Sequence, residues 1–173
     1  DGDITAIGKP WVPEIVYGFG ATVRYKLIDF GVFFQGTGNV TNMLTGDYLM
    51  PGSGGGAVGN IYSNVDDRWT PENQSSDVFW PRLATTQSSN NSQVSTWWMK
   101  KSNYLRMKNI EVGFTLPKSW QKACRLANAR IYYRGTNLLT FAAFDLWDPE
   151  LGSSDGFTYP ASKTNTFGIE FTF

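Results

Sequence analysis

The side chains of this chain that suit chemistry are one thiol, Cys124, and a group of carboxylates at positions 145, 148, 150 and 155. Carboxylate oxygens are ligands that Ca²⁺ accepts, and Asp145, Asp148, Glu150 and Asp155 are close in sequence. Their spacing does not match an EF-hand loop, and Asp148-Pro149 is also typical of the start of a turn. The sequence therefore favours a turn, with calcium in the 145–155 loop as an alternative.

Enzymatic chemistry is poorly supported. The chain has no histidine, which removes the commonest general base and every Ser–His or Cys–His pair. A glycosidase needs two carboxylates at a set separation, whereas the acidic residues here are scattered through turns. The glycine-rich run 52–56 lacks the Lys-Ser/Thr of a phosphate loop and is typical of a flexible loop. A single cysteine excludes an internal disulfide and a multi-cysteine zinc site. We expect no catalytic residue, metal or cofactor.

Two further groups of side chains suit binding. Aromatic rings and one arginine in polar segments could contact a substrate or a protein partner: Trp69, Trp80, Arg82, Trp147 and Tyr159. Trp and Tyr are equally expected as girdle residues at a membrane interface, and that alternative stays open. Four charged residues could line a polar interior or pair with carboxylates there: Arg24, Glu111, Arg130 and Arg134.

The last ten residues show what kind of element positions these groups. Phe167, Ile169, Phe171 and Phe173 alternate with small or polar residues, so they share one face of a strand. Such a strand suits a wall between lipid and water. Amphipathic alternation alone also fits a soluble β-sandwich.

Four more segments alternate in the same way. The predicted strands are 15–26, 28–36, 103–116, 128–141 and 164–173, with a tight turn at 26–28. Arg24 and Arg130 fall on polar faces, where they avoid the cost of about 2–4 kcal/mol for a lipid-facing charge at the bilayer midplane. Arg106 and Lys108 fall on the apolar face of the third strand. Either they lie at the headgroup level, or a β-bulge changes the face.

The connections between these strands differ in length. Segments 26–28 and 117–127 are short, whereas 37–102 and 142–163 are long, which is the asymmetry of outer-membrane barrels with long extracellular loops. The zero net charge does not indicate nucleic acid as a partner, and no apolar run approaches the length of a transmembrane helix. Five strands cannot close a membrane barrel, so we expect them to pair with the remainder of a larger one.

Four stretches resemble the C-terminal end of the SusC/RagA family, the TonB-dependent outer-membrane importers of Bacteroidetes. The first two are the strand Ser102-Asn-Tyr-Leu-Arg-Met-Lys-Asn-Ile-Glu-Val-Gly-Phe-Thr-Leu-Pro117 and the strand Ala129-Arg-Ile-Tyr-Tyr-Arg-Gly-Thr-Asn-Leu-Leu-Thr-Phe141. The third comprises Asp148-Pro-Glu150, Tyr159-Pro160 and Thr166-Phe-Gly168. The fourth comprises Asp67-Arg-Trp-Thr-Pro-Glu-Asn73 and Trp80-Pro-Arg82.

The resemblance implies an all-β fold: the C-terminal five strands of a large antiparallel transmembrane β-barrel, integral to the bacterial outer membrane. It implies import of a glycan or peptide with a SusD-like surface lipoprotein, driven by TonB acting on a plug. The plug and the TonB-binding segment are expected to lie outside residues 1–173. Likeness to outer-membrane proteins also implies that Phe167, Ile169, Phe171 and Phe173 form the signal read during barrel assembly.

The alternative function is that of a soluble β-sandwich that binds carbohydrate or serves as an adhesin. The two architectures differ in the fate of the aromatic face. A sandwich buries this face against a second sheet, whereas a barrel presents it to lipid.

Overall fold

The computed structural model describes residues 5–45, 61–84, 90–91 and 93–173; the glycine-rich run 52–56 lies outside these ranges. The strands are β1 (Ile15–Tyr25), β2 (Ile28–Gly38), β3 (Thr41–Met43), β4 (Met99–Lys101), β5 (Tyr104–Thr115), β6 (Asn128–Ala142) and β7 (Thr164–Thr172). One short helix, α1, spans Lys118–Ala123, and 3-10 turns occupy Thr96–Trp98 and Pro149–Leu151. None of the described helices has the length and apolarity needed to cross a bilayer.

Five strands form one antiparallel sheet in the order β1-β2-β5-β6-β7, which confirms the all-β fold class. The bounds of these strands differ from the predicted ones by two residues at most. β1 and β2 are joined by Lys26 and Leu27 alone, because Tyr25 pairs with Ile28. Lys26 adopts a positive φ of 54°. The two-residue turns whose twist matches that of the flanking strands, types I′ and II′, require a positive φ at their first residue. Strands β3 and β4 pair with each other inside the segment predicted to be a loop.

The apolar residues of neighbouring strands lie opposite one another and form continuous rows. Phe19 pairs with Phe34 at a ring distance of 5.3 Å, and Phe114 lies between Ile28 and Ile131. We call this side of the sheet the apolar face. Its members Phe19, Val112, Phe114, Ile131 and Phe171 are 40–55% exposed. Within the described ranges no second sheet covers them, which argues against the β-sandwich alternative.

The opposite side, the polar face, carries Arg24, Asp29, Glu111, Arg130 and Glu170. Two aromatic rings on this face lie over glycines. The ring of Phe33 lies against Gly20, where an added Cβ would be 3.1 Å from Cδ2, and Tyr132 contacts the position of a Cβ on Gly168. Gly168 therefore makes room for the Tyr132 ring on the neighbouring strand.

A β-bulge resolves the irregularity of the third predicted strand. Phe33 and Phe34 of β2 face Asn109 and Met107, so Lys108 has no partner of its own on β2. The extra residue turns Arg106 onto the polar face, opposite Gln35. The bulge hypothesis is confirmed, and the placement of Arg106 on the apolar face was wrong. β6 compensates at the same level with its own extra residue, near Asn137, whose φ is 55°.

The chain folds as two compact units. The first contains the five-stranded sheet. The second comprises residues 42–100 and 152–157, and its core contains Leu44, Val78, Trp80 and Trp98. Trp80 stacks on Tyr62 at 5.4 Å, and its indole Nε1 donates a hydrogen bond to Asn64 Oδ1 at 3.1 Å.

Candidate functional site

An ion-pair network crosses the polar face and joins strands β2, β5 and β6. Arg130 Nε donates to Asp29 Oδ1 at 3.0 Å, and Arg130 Nη2 donates to Glu111 Oε1 at 2.6 Å. Arg134 Nε donates to the other oxygen of Glu111 at 2.8 Å. The network forms because antiparallel pairing places Glu111 opposite Arg134, and Arg130 lies further along the same face of β6. Its charges are mutually compensated.

Arg24 lies on the same face, at the end of the sheet near the β1–β2 turn. It lines a concavity of about 460 Å³ together with Asp29, Arg130 and Glu170. Within the described ranges Arg24 forms no ion pair. The structure thus places the four charged residues predicted to line a polar interior on one face, where Arg24 lies opposite Asp29 across β1 and β2 but forms no salt bridge with a described carboxylate.

A second charged cluster lies near the other end of β5, away from the residues predicted to line a polar interior. Arg106 is only 2% exposed. Its Nη1 donates to Glu150 Oε2 at 2.8 Å, its Nη2 pairs with Asp148, and Lys108 pairs with Glu150. We call these four residues the buried cluster. The cluster attaches the segment that follows β6 to the polar face of β5.

The buried cluster holds Asp148 ionised. Burial opposes the charge on Asp148, but hydrogen bonds from the Arg106 guanidinium and from the backbone N–H groups of Glu150 and Ala161 outweigh it and lower the pKa of this carboxyl. The Glu150 N–H lies 3.0 Å and the Ala161 N–H 3.2 Å from the carboxylate oxygens.

These contacts bear on the calcium alternative. The carboxylate of Asp148 forms an ion pair with Arg106, and that of Glu150 forms one with Lys108. Asp155 accepts hydrogen bonds from the Ser153 hydroxyl and the Phe157 N–H. In the part of the chain that the structure describes, no three acidic, histidine or cysteine side chains are grouped to hold a metal. Asp148 and Glu150 are thus engaged by β5, and Asp155 by groups of its own loop.

A pocket of about 510 Å³ lies beside the buried cluster. Its buried or half-buried lining includes Arg106, Asn137, Phe144, Trp147 and Asp148, and its exposed lining includes Asp145 and Lys163. Trp147 packs edge-on against Phe144 with the ring centroids 4.8 Å apart. Tyr159, the other candidate in this segment, is 85% exposed.

The second unit carries the remaining aromatic candidates. Trp80 is completely buried, so its ring offers no surface for a substrate or partner in this structure. Trp69 and Arg82 line a pocket of about 360 Å³ with Trp97, Trp98 and Gln93. Trp97 is fixed there by a hydrogen bond from its Nε1 to the Phe79 carbonyl at 3.1 Å, and Lys100 lies 4.4 Å from the Phe79 ring centre. Burial lowers the pKa of Lys100, although the negative charges of Asp67 and Asp77 act in the opposite direction.

The aromatic side chains at the end of the sequence are largely exposed. Phe167 packs beside Tyr133 with the rings 5.2 Å apart, and Ile169 faces Ile131 across β6–β7. Phe171 continues the same side of β7, Phe173 follows the end of the strand, and both are exposed. They extend the apolar face to the edge of the sheet.

Sequence reasoning missed the buried cluster and Asn137. One signal was available: Arg106 broke the alternation of its strand, and a charge that breaks such a pattern calls for a partner. The partner could not be located from sequence, because Glu150 is 44 residues away.

No protein-family model matches the chain. Two TonB-dependent receptors of Formosa agariphila match it along 99% of its length: P26 with 33% identity and P3 with 30% identity. Among solved structures, a chain of the RagAB peptide transporter matches 98% of it with 28% identity and a TM-score of 0.75, and the "open-open" state of the RagAB peptide importer matches with a TM-score of 0.71.

These relatives are receptors and transporters, which agrees with the absence of an enzymatic motif. The chain spans 17–18% of the length of the proteins that it matches. Its five-stranded sheet corresponds to part of their barrel wall. The chain belongs to the SusC/RagA family of TonB-dependent outer-membrane receptors.

Proposed function

We propose that the chain is part of a SusC-like outer-membrane importer that takes up peptides or glycans together with a SusD-like surface lipoprotein. The observation that carries this proposal is the match to RagAB over 98% of the chain, at 28% identity and a TM-score of 0.75. Because the identity extends along the whole sheet and its loops, it supports a common role as well as a common fold.

Within this proposal the apolar face contacts lipid and the polar face contacts the aqueous interior and the plug. The compensated charges of Asp29, Arg130, Glu111 and Arg134 suit a wall that packs against other protein segments or water without binding one sign of charge. Arg24 lines the concavity on this face and forms no salt bridge among the described residues, so it is placed to hold a carboxylate of the plug.

The long segments 39–103 and 143–163 face the outside in this proposal, and the short links face the periplasm. Trp69, Arg82, Trp147 and Tyr159 then belong to the surface that meets the substrate or the lipoprotein. TonB acts on the plug, outside this chain. Peptide is favoured over glycan because RagAB is a peptide transporter.

Uptake by the full-length importer tests this function. Cells that carry the importer and its neighbouring lipoprotein are given a mixture of fluorescent oligopeptides or, separately, fluorescent oligosaccharides. We expect peptide uptake that is lost when TonB is deleted and when the lipoprotein is deleted. Uptake of oligosaccharides but not of peptides would mean that the substrate is a glycan. Uptake that is unchanged in both deletion strains would refute the proposed import function.

A further inference from the structure

The pocket beside the buried cluster contains two polar atoms that lack hydrogen-bond partners. Arg106 Nε and Asn137 Oδ1 are both buried, and neither has a partner among the described residues. Both residues line the pocket. A buried polar group without a partner is costly, so such a pair indicates a place where another molecule completes the hydrogen bonds.

The two atoms are of opposite kind. Arg106 Nε is a donor, and its other guanidinium nitrogens are already engaged by Asp148 and Glu150. Asn137 Oδ1 is an acceptor, since the amide nitrogen of Asn137 donates to the Ser162 carbonyl at 3.1 Å. A complementary ligand must offer one acceptor and one donor.

The surroundings of these atoms restrict the ligand further. The buried cluster contains two cations and two carboxylates, so it does not select a charged group. The other walls are mostly apolar: Ala142, Phe144, Trp147, Pro149, Pro160 and Ala161. A sugar ring would bring several hydroxyl groups against these walls, and each unpaired hydroxyl would be penalised. A peptide unit brings one N–H, one C=O and an apolar side chain.

We propose that this pocket is a subsite for a peptide backbone unit with a small or medium apolar side chain. Arg106 Nε donates to the ligand carbonyl, and Asn137 Oδ1 accepts from the ligand N–H. Asp145 and Lys163 are the exposed and oppositely charged members of the lining, and in this proposal they contact the flanking parts of the peptide. The proposal rests on the proposed function, because it assigns a binding subsite to the importer.

Chemical protection of an introduced cysteine tests the subsite in the full-length importer. Ala161→Cys places a thiol in the lining of the pocket, and Ala143→Cys places one on an exposed residue outside that lining; both are made with Cys124→Ser. The rate of maleimide labelling is measured with N-acetyl-Ala-Leu-Ala-amide and, separately, with maltotriose. We expect the peptide to slow labelling at position 161 at least fivefold, and to leave position 143 unchanged.

Asn137→Gly in the Ala161→Cys background removes the acceptor and keeps a residue that tolerates the positive φ. We expect the peptide concentration for half-protection to rise about tenfold. Protection by maltotriose alone, no protection by either probe, or a thiol at 161 that is unreactive without any probe would each overturn the subsite. The last two results would mean a pocket filled by water or by the protein itself. TonB-dependent peptide uptake that persists alongside such a result would leave the proposed function standing.

Discussion

Arg106 carries a full charge with almost no access to solvent, and it is held there by two carboxylates on a distant part of the chain. Taking a charge out of water is expensive, and the attraction between partners repays that cost only while all partners are present. The cluster therefore holds the segment after β6 against β5 only while all four charged residues are present. It stabilises the segment after β6 when complete and destabilises it when one member is lost.

Replacement of Arg106 by Met tests this attachment. The variant leaves Asp148 and Glu150 with Lys108 alone, so we expect opening of segment 143–151 to become easier by about 3–5 kcal/mol. Hydrogen–deuterium exchange of the corresponding peptides in the full-length protein measures this change. Arg24→Met is the matched control, since Arg24 forms no ion pair among the described residues. Equal exchange in the two variants would contradict the role of the cluster.

The pH dependence of the same segment follows from Asp148. Its folded pKa is depressed, so its contribution to stability is complete above the ordinary carboxyl value of about 3.9 and is lost as the pH falls through the lower folded value. We expect exchange of segment 143–151, corrected for intrinsic rates, to be flat near neutral pH and to rise in the acid range. Asp148→Asn should raise exchange at pH 7 and remove the acid rise. Asp145→Asn, outside the cluster, should behave as the parent protein does.

At the scale of the strand, the orientation of each side chain decides its tolerance to charge. Asn109 and Ile110 are neighbours near the middle of β5 and point to opposite faces, because they pair with Phe33 and Val32 of β2. We expect Ile110→Arg to abolish assembly in the outer membrane, because a lipid-facing arginine costs about 2–4 kcal/mol near the midplane. Asn109→Arg carries the same charge on the polar face and should assemble. Both are scored by the amount of heat-modifiable barrel in outer-membrane fractions, and equal yields would refute the assignment of the faces.

Alternation predicted the five long strands well, because a barrel wall imposes a two-residue period on every strand, with lipid on one side. The bulge at Lys108 was only one of two explanations for a charge at position 106 in an otherwise apolar row. A strand that leaves the bilayer and a strand that gains one residue both interrupt the two-residue period, so the sequence does not distinguish them. The pairing registers of the strands are known only from the structure, in which β2 and β6 lie on either side of β5. Strands β3 and β4 were missed because three residues are too few for a period.

The site was less predictable than the fold. Glu111, Arg130 and Arg134 share a face by alternation alone, so their proximity could be expected. The contact of Arg106 with Asp148 depends on how a long segment folds back, which no local pattern determines. Trp80 was predicted to bind a substrate or partner because it is an aromatic residue in a polar segment. Its complete burial results from packing against Tyr62, Phe79 and Trp98, which the sequence does not reveal.

At the scale of the whole molecule, the sheet has two edges. Among the residues that the structure describes, β1 and β7 each pair with a strand on one side only, and unpaired backbone groups are costly in lipid. We expect residues 1–173 expressed alone with an export signal to fail to give a compact species on an unheated SDS gel. The full-length protein should give one that shifts on boiling. A heat-modifiable band from residues 1–173 alone would mean that the sheet closes or assembles without the remaining strands.

The burial of the cluster on β5 also determines how the protein responds to ionic strength. The exposed pair between Arg68 and Asp66 is open to mobile ions, and at about 1 M salt, where the screening length is only about 3 Å, it should contribute almost nothing. Arg106 and Asp148 are shielded by the protein around them, and the four charges of their cluster sum to zero. Segment 143–151 should therefore keep its attachment to β5 from low to high salt concentration, whereas contacts that depend on exposed ion pairs weaken as the salt concentration rises.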